Sequence, residues 1–332
     1  MGGRNGQGSP VLVTGGAGFL GSHLCERLLS SGREVVCVDD LSTGVIENIE
    51  PLMSDPAFEF VNAEIPSQAT ADLLTTVHPR YVIHLASPAS PVDFDRIPIR
   101  ILQIGAYATD WALQLAWRND ARFVLASTSE VYGTPEVHPQ VESYWGNVNP
   151  VGVRSVYDEA KRYAEALAMA YHRQHGTNIA IARFFNTYGP RMRADDGRLI
   201  PQLISEALTG LPLTIHGDGQ QTRSLCYVDD LVDGIVLLME SDVRGPINLG
   251  NPEEYTVEQV ARVIATTTGT EPRFAHTAPR TDDPVRRRPD ISLAQSLLGW
   301  QPRTSVRAGI RRTVDWYADR TPRLTVSARS DG

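Results

Sequence analysis

Tyr157 and Lys161 stand four residues apart in Tyr157-Asp-Glu-Ala-Lys161. That spacing places both side chains on one face of a helix. An ammonium beside a phenol stabilises the phenolate and lowers its pKa from ~10 towards ~7, which needs about 4 kcal/mol. A phenolate so tuned can remove a hydroxyl proton while a nicotinamide takes hydride from the same carbon. Taken alone, the pair is also what many exposed helices carry. Its context gives it weight: Phe123-Val-Leu-Ala-Ser-Thr-Ser-Glu130 reads as a strand ending in hydroxyls and one acid. Ligands of open parallel sheets bind beyond the carboxyl ends of the strands, which places Thr128, Ser129 and Glu130 to meet Tyr157.

A second chemical constellation lies near the start of the chain. Thr14-Gly15-Gly16-Ala17-Gly18-Phe19-Leu20-Gly21 spaces Gly15, Gly18 and Gly21 as G-x-x-G-x-x-G between a strand and a helix. Glycines there permit a tight turn, close approach of a pyrophosphate and close helix–strand packing, and the helix N-terminus offers free N–H groups to the anion. Asp39 ends the next strand-like run, eighteen residues after Gly21. A carboxylate there can accept both adenosine ribose hydroxyls and repels a 2′-phosphate. No arginine directly follows Asp39, so the reading favours NAD over NADP.

The elements that must position these groups alternate. Val11–Val13, Glu34–Asp39, Phe58–Val61, Tyr81–Leu85, Phe123–Ala126 and Ile179–Phe184 read as apolar strands. Helical patterns run between them, at Gly21–Ser31, Asp110–Arg118 and Asp158–His175. The expected fold class is α/β, a Rossmann-type doubly wound parallel sheet with a smaller mixed α/β substrate-binding domain. Residues 1–10 and 319–332 are read as flexible ends. Residues 11–185 form the dinucleotide domain and 186–318 mainly the second domain, with elements around 224–250 returning to the first. The second half is expected to be less regular because prolines punctuate it.

Composition bounds the partners. Lys+Arg 31 against Asp+Glu 39 gives −8, which argues against general affinity for nucleic acid or an anionic membrane. Cys25, Cys37 and Cys226 are too few and too scattered for a disulfide scaffold or a zinc site. His172 and His175 have no third ligand, so no metal is expected. Without an apolar span or signal-like h-region, the chain reads as a soluble protein of the reducing cytoplasm. Within this acidic chain, Arg286-Arg287-Arg288 is read as a local anion site in preference to a solvated basic run.

With these residues in place, the sequence resembles the extended short-chain dehydrogenase/reductase family, in particular its nucleotide-sugar-modifying members. The matching elements are Thr14–Gly21, Asp39, His84-Leu-Ala-Ser87, Thr128, Tyr157/Lys161 and Arg183-Phe-Phe-Asn-Thr-Tyr-Gly-Pro-Arg191. Within that family it is most similar to the UDP-glucuronate decarboxylases, or UDP-xylose synthases. The similarity lies in His84–Pro91, Ser127–Gly133, Tyr144–Pro150, Tyr171–Gly176, Asp196–Arg198, Gly217–Arg223, Ile247–Pro252 and Asp282–Ile291. The resemblance implies a redox-neutral cycle: oxidation at the sugar C4, loss of carbon dioxide from the resulting β-keto acid, protonation at C5, and re-reduction at C4 to UDP-xylose.

Residue roles follow from the same resemblance. Tyr157 would be the base, Lys161 its tuner and ribose ligand, and Thr128 a hydrogen-bond partner of the C4 oxygen. Glu130 would sit where repulsion encourages loss of the carboxylate, and Arg287 near that carboxylate with a part in proton delivery. Ser129, Asn186, Arg191 and Arg223 would hold the UDP-sugar. NAD contacts would come from Gly15, Gly18, Phe19, Leu20 and Gly21. After the second strand they would be Asp39, Asp40, Ser42, Thr43 and Gly44, and after the third Glu64 and Ile65. Leu85, Ala86, Ser87 and Thr187 would complete the set with Tyr157 and Lys161. The family usually forms homodimers through a four-helix bundle, here Asp110–Arg118 and Asp158–His175 from each copy. One departure stands out: Gly105-Ala-Tyr-Ala-Thr109 replaces the usual Asn-x-x-Gly-Thr, and the missing Asn normally organises the active-site helix. The alternatives are a 4-epimerase, a 4,6-dehydratase (which would want an Asp-Glu pair where Ser129-Glu130 stands) and a non-catalytic NAD sensor.

Overall fold

The computed structural model describes residues 8–279 and 286–320. The expected flexible segments therefore lie largely outside the described residues, as do Asp282–Val285 of the resemblance.

The first half builds one parallel sheet. Its strands are β1 (Val11–Thr14), β2 (Val35–Asp39), β3 (Phe58–Asn62), β4 (Tyr81–His84), β5 (Arg122–Thr128) and β6 (Ile179–Phe184). Most of these are runs of Val, Ile, Leu and Ala, with β1, β2, β4 and β5 buried along their whole length. A parallel strand covered by helices on both faces has no side open to water, which is why the polar alternation of a surface sheet is missing. The covering helices are α1 (Phe19–Ser30), α2 (Gln68–Thr76), α3 (Pro91–Arg96), α4 (Pro98–Gln103), α5 (Thr109–Arg118) and α6 (Ser155–His175). One π-helical turn, Ile104–Ala108, joins α4 to α5.

Shorter elements follow: β7 (Thr187–Tyr188), α7 (Leu199–Leu208), β8 (Leu213–His216), β9 (Thr222–Ser224) and β10 (Cys226–Tyr227). Then come α8 (Val228–Glu240), β11 (Ile247–Leu249), β12 (Glu254–Thr256), α9 (Val257–Thr268), β13 (Phe274–Thr277), α10 (Ser292–Leu298) and α11 (Val306–Ala318). Strand β11 returns to pair with β6, so the sheet order is β11-β6-β5-β4-β1-β2-β3, all parallel. The later small sheets, β8 with β13 and β9 with β12, stand apart from it. One apolar core runs from α1 and α8 into α7, α9 and α11, and a second fills the opposite face beneath α2, α5 and α6. Among the described residues no helix is long and apolar enough to cross a membrane.

Strand order reverses between β1 and β4. A crevice opens at the carboxyl ends of strands at such a switch point, because the connections leave on opposite faces. Thr14, Leu85 and Thr128 end or follow β1, β4 and β5 at that edge.

Candidate active site

The glycine loop is built for close approach. Gly15 has φ +72°, and a Cβ there would lie 2.7 Å from the Ala86 nitrogen. A Cβ on Gly21 would lie 2.1 Å from the Gly15 oxygen, so α1 packs directly on the turn. Gly18 is the N-cap of α1, and a Cβ there would come within 4 Å of the Gly15 oxygen alone, at 3.2 Å. Its open side lines a deep cleft together with Phe19, Leu20, Gly21 and Thr43. Asp39 braces the loop: its Oδ2 accepts the Ala17 amide and its Oδ1 the Leu41 amide, each at 2.9 Å. Across the cleft, the Ser87 hydroxyl is buried and makes no hydrogen bond among the described residues. A bare helix N-terminus, a loop that excludes Cβ atoms and an unpartnered hydroxyl fit a dinucleotide.

The other expected cofactor contacts divide. Leu85 and Thr187 share the cleft with Ser87, while the Ala86 amide turns to Thr14 Oγ1 at 3.3 Å. Asp39, Asp40, Ser42, Gly44, Glu64 and Ile65 are outside its wall, around the ends of β2 and β3. There Arg100 reaches Asp40 at 2.7 Å and Glu64 at 3.3 Å, and the Ser42 amide donates to Asp40.

Tyr157 and Lys161 line the same cleft with Thr128, Ser129 and Glu130. The Lys161 Nζ donates to the Ala126 carbonyl at 2.8 Å and lies 5.8 Å from the Tyr157 ring centroid. Burial lowers the Lys161 pKa to about 8, partly offset by Glu165. Tyr157 departs from the expectation drawn from its spacing. Burial pushes its phenol up to about 12, and the influences that pull it down are Arg198 and hydrogen bonding to Thr128. The i,i+4 pair shares a face, but the ammonium points at the strand end and does not contact the hydroxyl. His84 bridges Thr14 at 2.8 Å and Thr109 at 3.1 Å, and burial with the Lys161 charge holds it neutral, at about 3.

Glu130 is the centre of an ionic cluster. Arg287 grips it with both Nη atoms, at 2.6 and 2.9 Å, and Arg154 adds a third bond at 2.7 Å. Burial alone would raise this carboxyl, but the two guanidiniums overrule it and hold it at about 2. Bidentate charge-assisted bonds in a dry site are the strong kind. One carboxylate and two guanidiniums sum to −1 + 2 = +1. The repulsion expected from Glu130 therefore has no uncompensated negative charge behind it. The cluster attracts an anion.

The arginine triplet splits. Arg287 is buried in the cleft wall, Arg286 is exposed, and Arg288 turns to Glu254 at 3.8 Å. Arg223 is buried on β9, where its Nη1 donates to the Thr222 carbonyl. Arg191 takes a left-handed φ of +68° and pairs with Glu26 of α1 at 2.5 Å, while its other Nη is buried without a partner among the described residues. Both arginines line the cleft with Asn186.

Residues 11–250 match the NAD dependent epimerase/dehydratase family. The chain belongs to this family. UDP-glucuronic acid decarboxylase 1 of Arabidopsis thaliana is 47% identical over 310 residues, covering 93% of this chain and 70% of that one. Decarboxylase 6 of the same plant is 48% identical over 301 residues, covering 90% and 86%. The Xenopus tropicalis decarboxylase 1 is 46% identical over 92% of this chain and 72% of its own. Among solved structures, the UDP-glucose 4-epimerase of Thermotoga maritima, bound to UDP-glucose, superposes with TM-score 0.87 at 29% identity, covering 94% of this chain and 99% of that one. The UDP-glucuronic acid 4-epimerase of Bacillus cereus, bound to UDP-glucuronic acid and NAD, gives 0.84 at 30%, covering 93% and 99%.

For a family member of this kind, several cleft residues were invisible to spacing. Phe94 stacks on Tyr157 with centroids 5.2 Å apart, and the Arg154 guanidinium lies 5.8 Å above Phe94. Arg154 did leave a signal: a cation at the N-cap of a helix opposes the macrodipole and calls for a carboxylate partner, here Glu130. Arg198 lies in the Asp196–Arg198 segment of the resemblance, though with no role assigned there, and lines the cleft. Asp158, behind the cleft wall, left no signal of its own. Asp158 is buried one turn beyond Arg154, and its carboxyl is raised to about 7 by burial and by Glu130, against Arg154 and Arg287.

Proposed function

We infer that this chain is an NAD-dependent carboxy-lyase that converts UDP-glucuronate to UDP-xylose with its cofactor recycled. The observation that carries this is the near-47% identity to curated UDP-glucuronic acid decarboxylases over more than nine-tenths of the chain. The glycine loop, Asp39 and Ser87 are the groups available to hold NAD, which supplies reversible hydride acceptance at the sugar C4 when bound. Tyr157 removes the C4 hydroxyl proton, and Thr128 holds that oxygen beside it. The ketone so formed is β to the carboxylate, so the electrons of the departing carbon dioxide pass into an enolate. The Glu130–Arg287–Arg154 cluster, at net +1, stabilises the anion before and after that loss. A proton then returns to C5, and Tyr157 returns its proton to the C4 oxygen. Lys161 orients from behind, fixed to the Ala126 carbonyl.

We assign residues 11–185, with the returning β11, to the NAD half and 186–318 mainly to the UDP-sugar half. The same reading includes a homodimer through helices α5 and α6. Exposed Ile99, Leu102, Tyr107, Trp117 and Tyr163 on α4–α5 and α6 support it, because large apolar side chains on adjoining helices favour burial. A cytoplasmic location is in keeping with three free thiols.

The direct test is incubation with UDP-glucuronate. The expected products are carbon dioxide and UDP-xylose in equal amounts without net NADH. Tyr157→Phe should lower the rate by roughly 10²–10⁴-fold while the fold is kept. Formation of UDP-galacturonate without carbon dioxide would instead make the chain a 4-epimerase, the activity named for the Bacillus cereus neighbour.

A further inference from the structure

Glu130 meets two arginines that reach it from unlike supports. Arg154 is the N-cap of α6, so a helix of 21 residues carries it. Arg287 arrives from 157 residues away, on a stretch, 286–288, that belongs to no helix or strand. An arginine stem has several rotating bonds, and a guanidinium on an unsupported backbone would not keep two bonds to one carboxylate. The chain beside Arg287 therefore needs a hold of its own.

Gln140, buried in the connection between β5 and α6, supplies it. Its side-chain Oε1 accepts the Arg288 N–H and its own N–H donates to the Arg288 carbonyl, each at 2.8 Å. The Asp290 N–H donates to the Gln140 carbonyl at 2.8 Å, which makes Gln140 and Pro289 a parallel bridge. The amide is oriented in turn, because its Nε2 donates to the Val137 carbonyl at 2.8 Å. Asn248 on β11 donates to the carbonyls of both Gln140 and Asp290 at 3.0 Å, so the bridge is anchored to the central sheet. The Arg288 N–H shares a planar peptide with the Arg287 carbonyl. Holding that plane limits rotation about the Arg287 Cα–C bond, and with it the swing of the side chain away from Glu130. The Arg288–Glu254 ion pair, at 3.8 Å and partly exposed, is a weak hold by comparison.

We propose that Gln140 is a positioning residue for the reaction: its side-chain amide fixes the peptide after Arg287 and so keeps that guanidinium on Glu130. This rests on the UDP-glucuronate activity inferred above. Gln140 is outside the cleft wall, so it acts through Arg287 and not on the substrate. Gln140→Leu keeps the size of the side chain and the main-chain bonds of the bridge, but leaves the Arg288 N–H without its acceptor. A guanidinium released by even a small rotation no longer meets the reacting group in the geometry that the rate requires.

The test is a double-variant cycle read on carbon dioxide release in a single turnover of UDP-glucuronate by NAD-loaded protein. Gln140→Leu is expected to lower that rate about 10- to 100-fold with Arg287 present. In an Arg287→Lys background, where the two-pronged grip is already lost, the same change should cost less than about 3-fold. UDP, which lacks the sugar acid that the cluster meets, should bind the leucine variant within about 2-fold of the wild type, whereas general damage to the fold would weaken it. Equal losses of rate in the two backgrounds, no loss with Arg287 present, or a parallel loss of UDP affinity overturns the proposal. Should the leucine variant not fold, Gln140→Asn, whose amide is one carbon shorter, goes through the same cycle and is judged by the same outcomes. Failure of the function itself reads differently, because wild-type protein would then release no carbon dioxide from UDP-glucuronate.

Discussion

Asp158 sits in the first turn of α6, where the helix dipole favours a negative charge, yet burial and the Glu130 carboxylate win and raise its pKa to about 7. The charged groups acting on it are Glu130, Arg154, Arg287 and Glu159. Its folded pKa is above its unfolded value of about 3.9. The stability it contributes is therefore complete below about pH 4 and is lost as pH rises through about 7. Asp158→Asn should remove this dependence. In paired thermal melts from pH 4 to 8, the variant should gain on the wild type as pH rises, and parallel curves would show that Asp158 is ionised in the fold. Glu130 has the opposite sign. Held at about 2, it stays ionised across that range, and its contribution is lost only as pH falls towards 2. At this scale the sequence named Tyr157, Lys161, Thr128 and Glu130. It misjudged the electrostatics, because a pKa depends on burial and on charges distant in the chain.

The elements carry a second lesson at Gly105. The usual Asn is missing there, and the segment Ile104–Ala108 forms a π-helical turn between α4 and α5. A Cβ on Gly105 would stand 2.7 Å from the Cβ of Ala160, inside the Tyr157–Lys161 turn of α6. Two helix backbones can approach this closely because both positions lack bulk, and the approach sets where α6 presents its tyrosine. Gly105→Ala should displace α6 and lower kcat by about 10-fold or more, since small misplacements of reacting groups are costly. Ala160→Gly in the same chain should restore most of the loss by vacating the contact. A double variant no better than Gly105→Ala would show that the close approach is not what matters. The departure was legible in the sequence, but its compensation was not, because Ala160 is 55 residues away and is marked by no motif.

Over the whole molecule, charge and apolar surface are unevenly placed. A net charge of −8 surrounds a cleft lined with arginines, so the long-range field and the local one have opposite signs. The largest exposed apolar side chains on α4–α5 and α6 set the expectation for assembly. In sedimentation at micromolar concentration the protein should run as a dimer. Replacing Tyr107 and Tyr163 by Glu should give a monomer, because burying an unpaired carboxylate in an apolar contact costs several kcal/mol. A wild-type monomer at those concentrations would remove the dimer from the reading.

By itself the sequence determined what depends on neighbours along the chain. Buried strands are apolar throughout, helices repeat at their own period, and the glycine spacing, Asp39 and Tyr157-x-x-x-Lys161 are local patterns. Those sufficed for the doubly wound sheet and for the family that residues 11–250 match. Tertiary structure alone decided which charges meet. Glu130 finds Arg287 across 157 residues, Arg191 turns back to Glu26 across 165, and the arginine triplet is divided between the cleft and solvent. The physical reason is that periodicity reports burial, a property each residue expresses where it stands. An ion pair is a property of two residues, and nothing along the chain records the distance between them until the chain has folded.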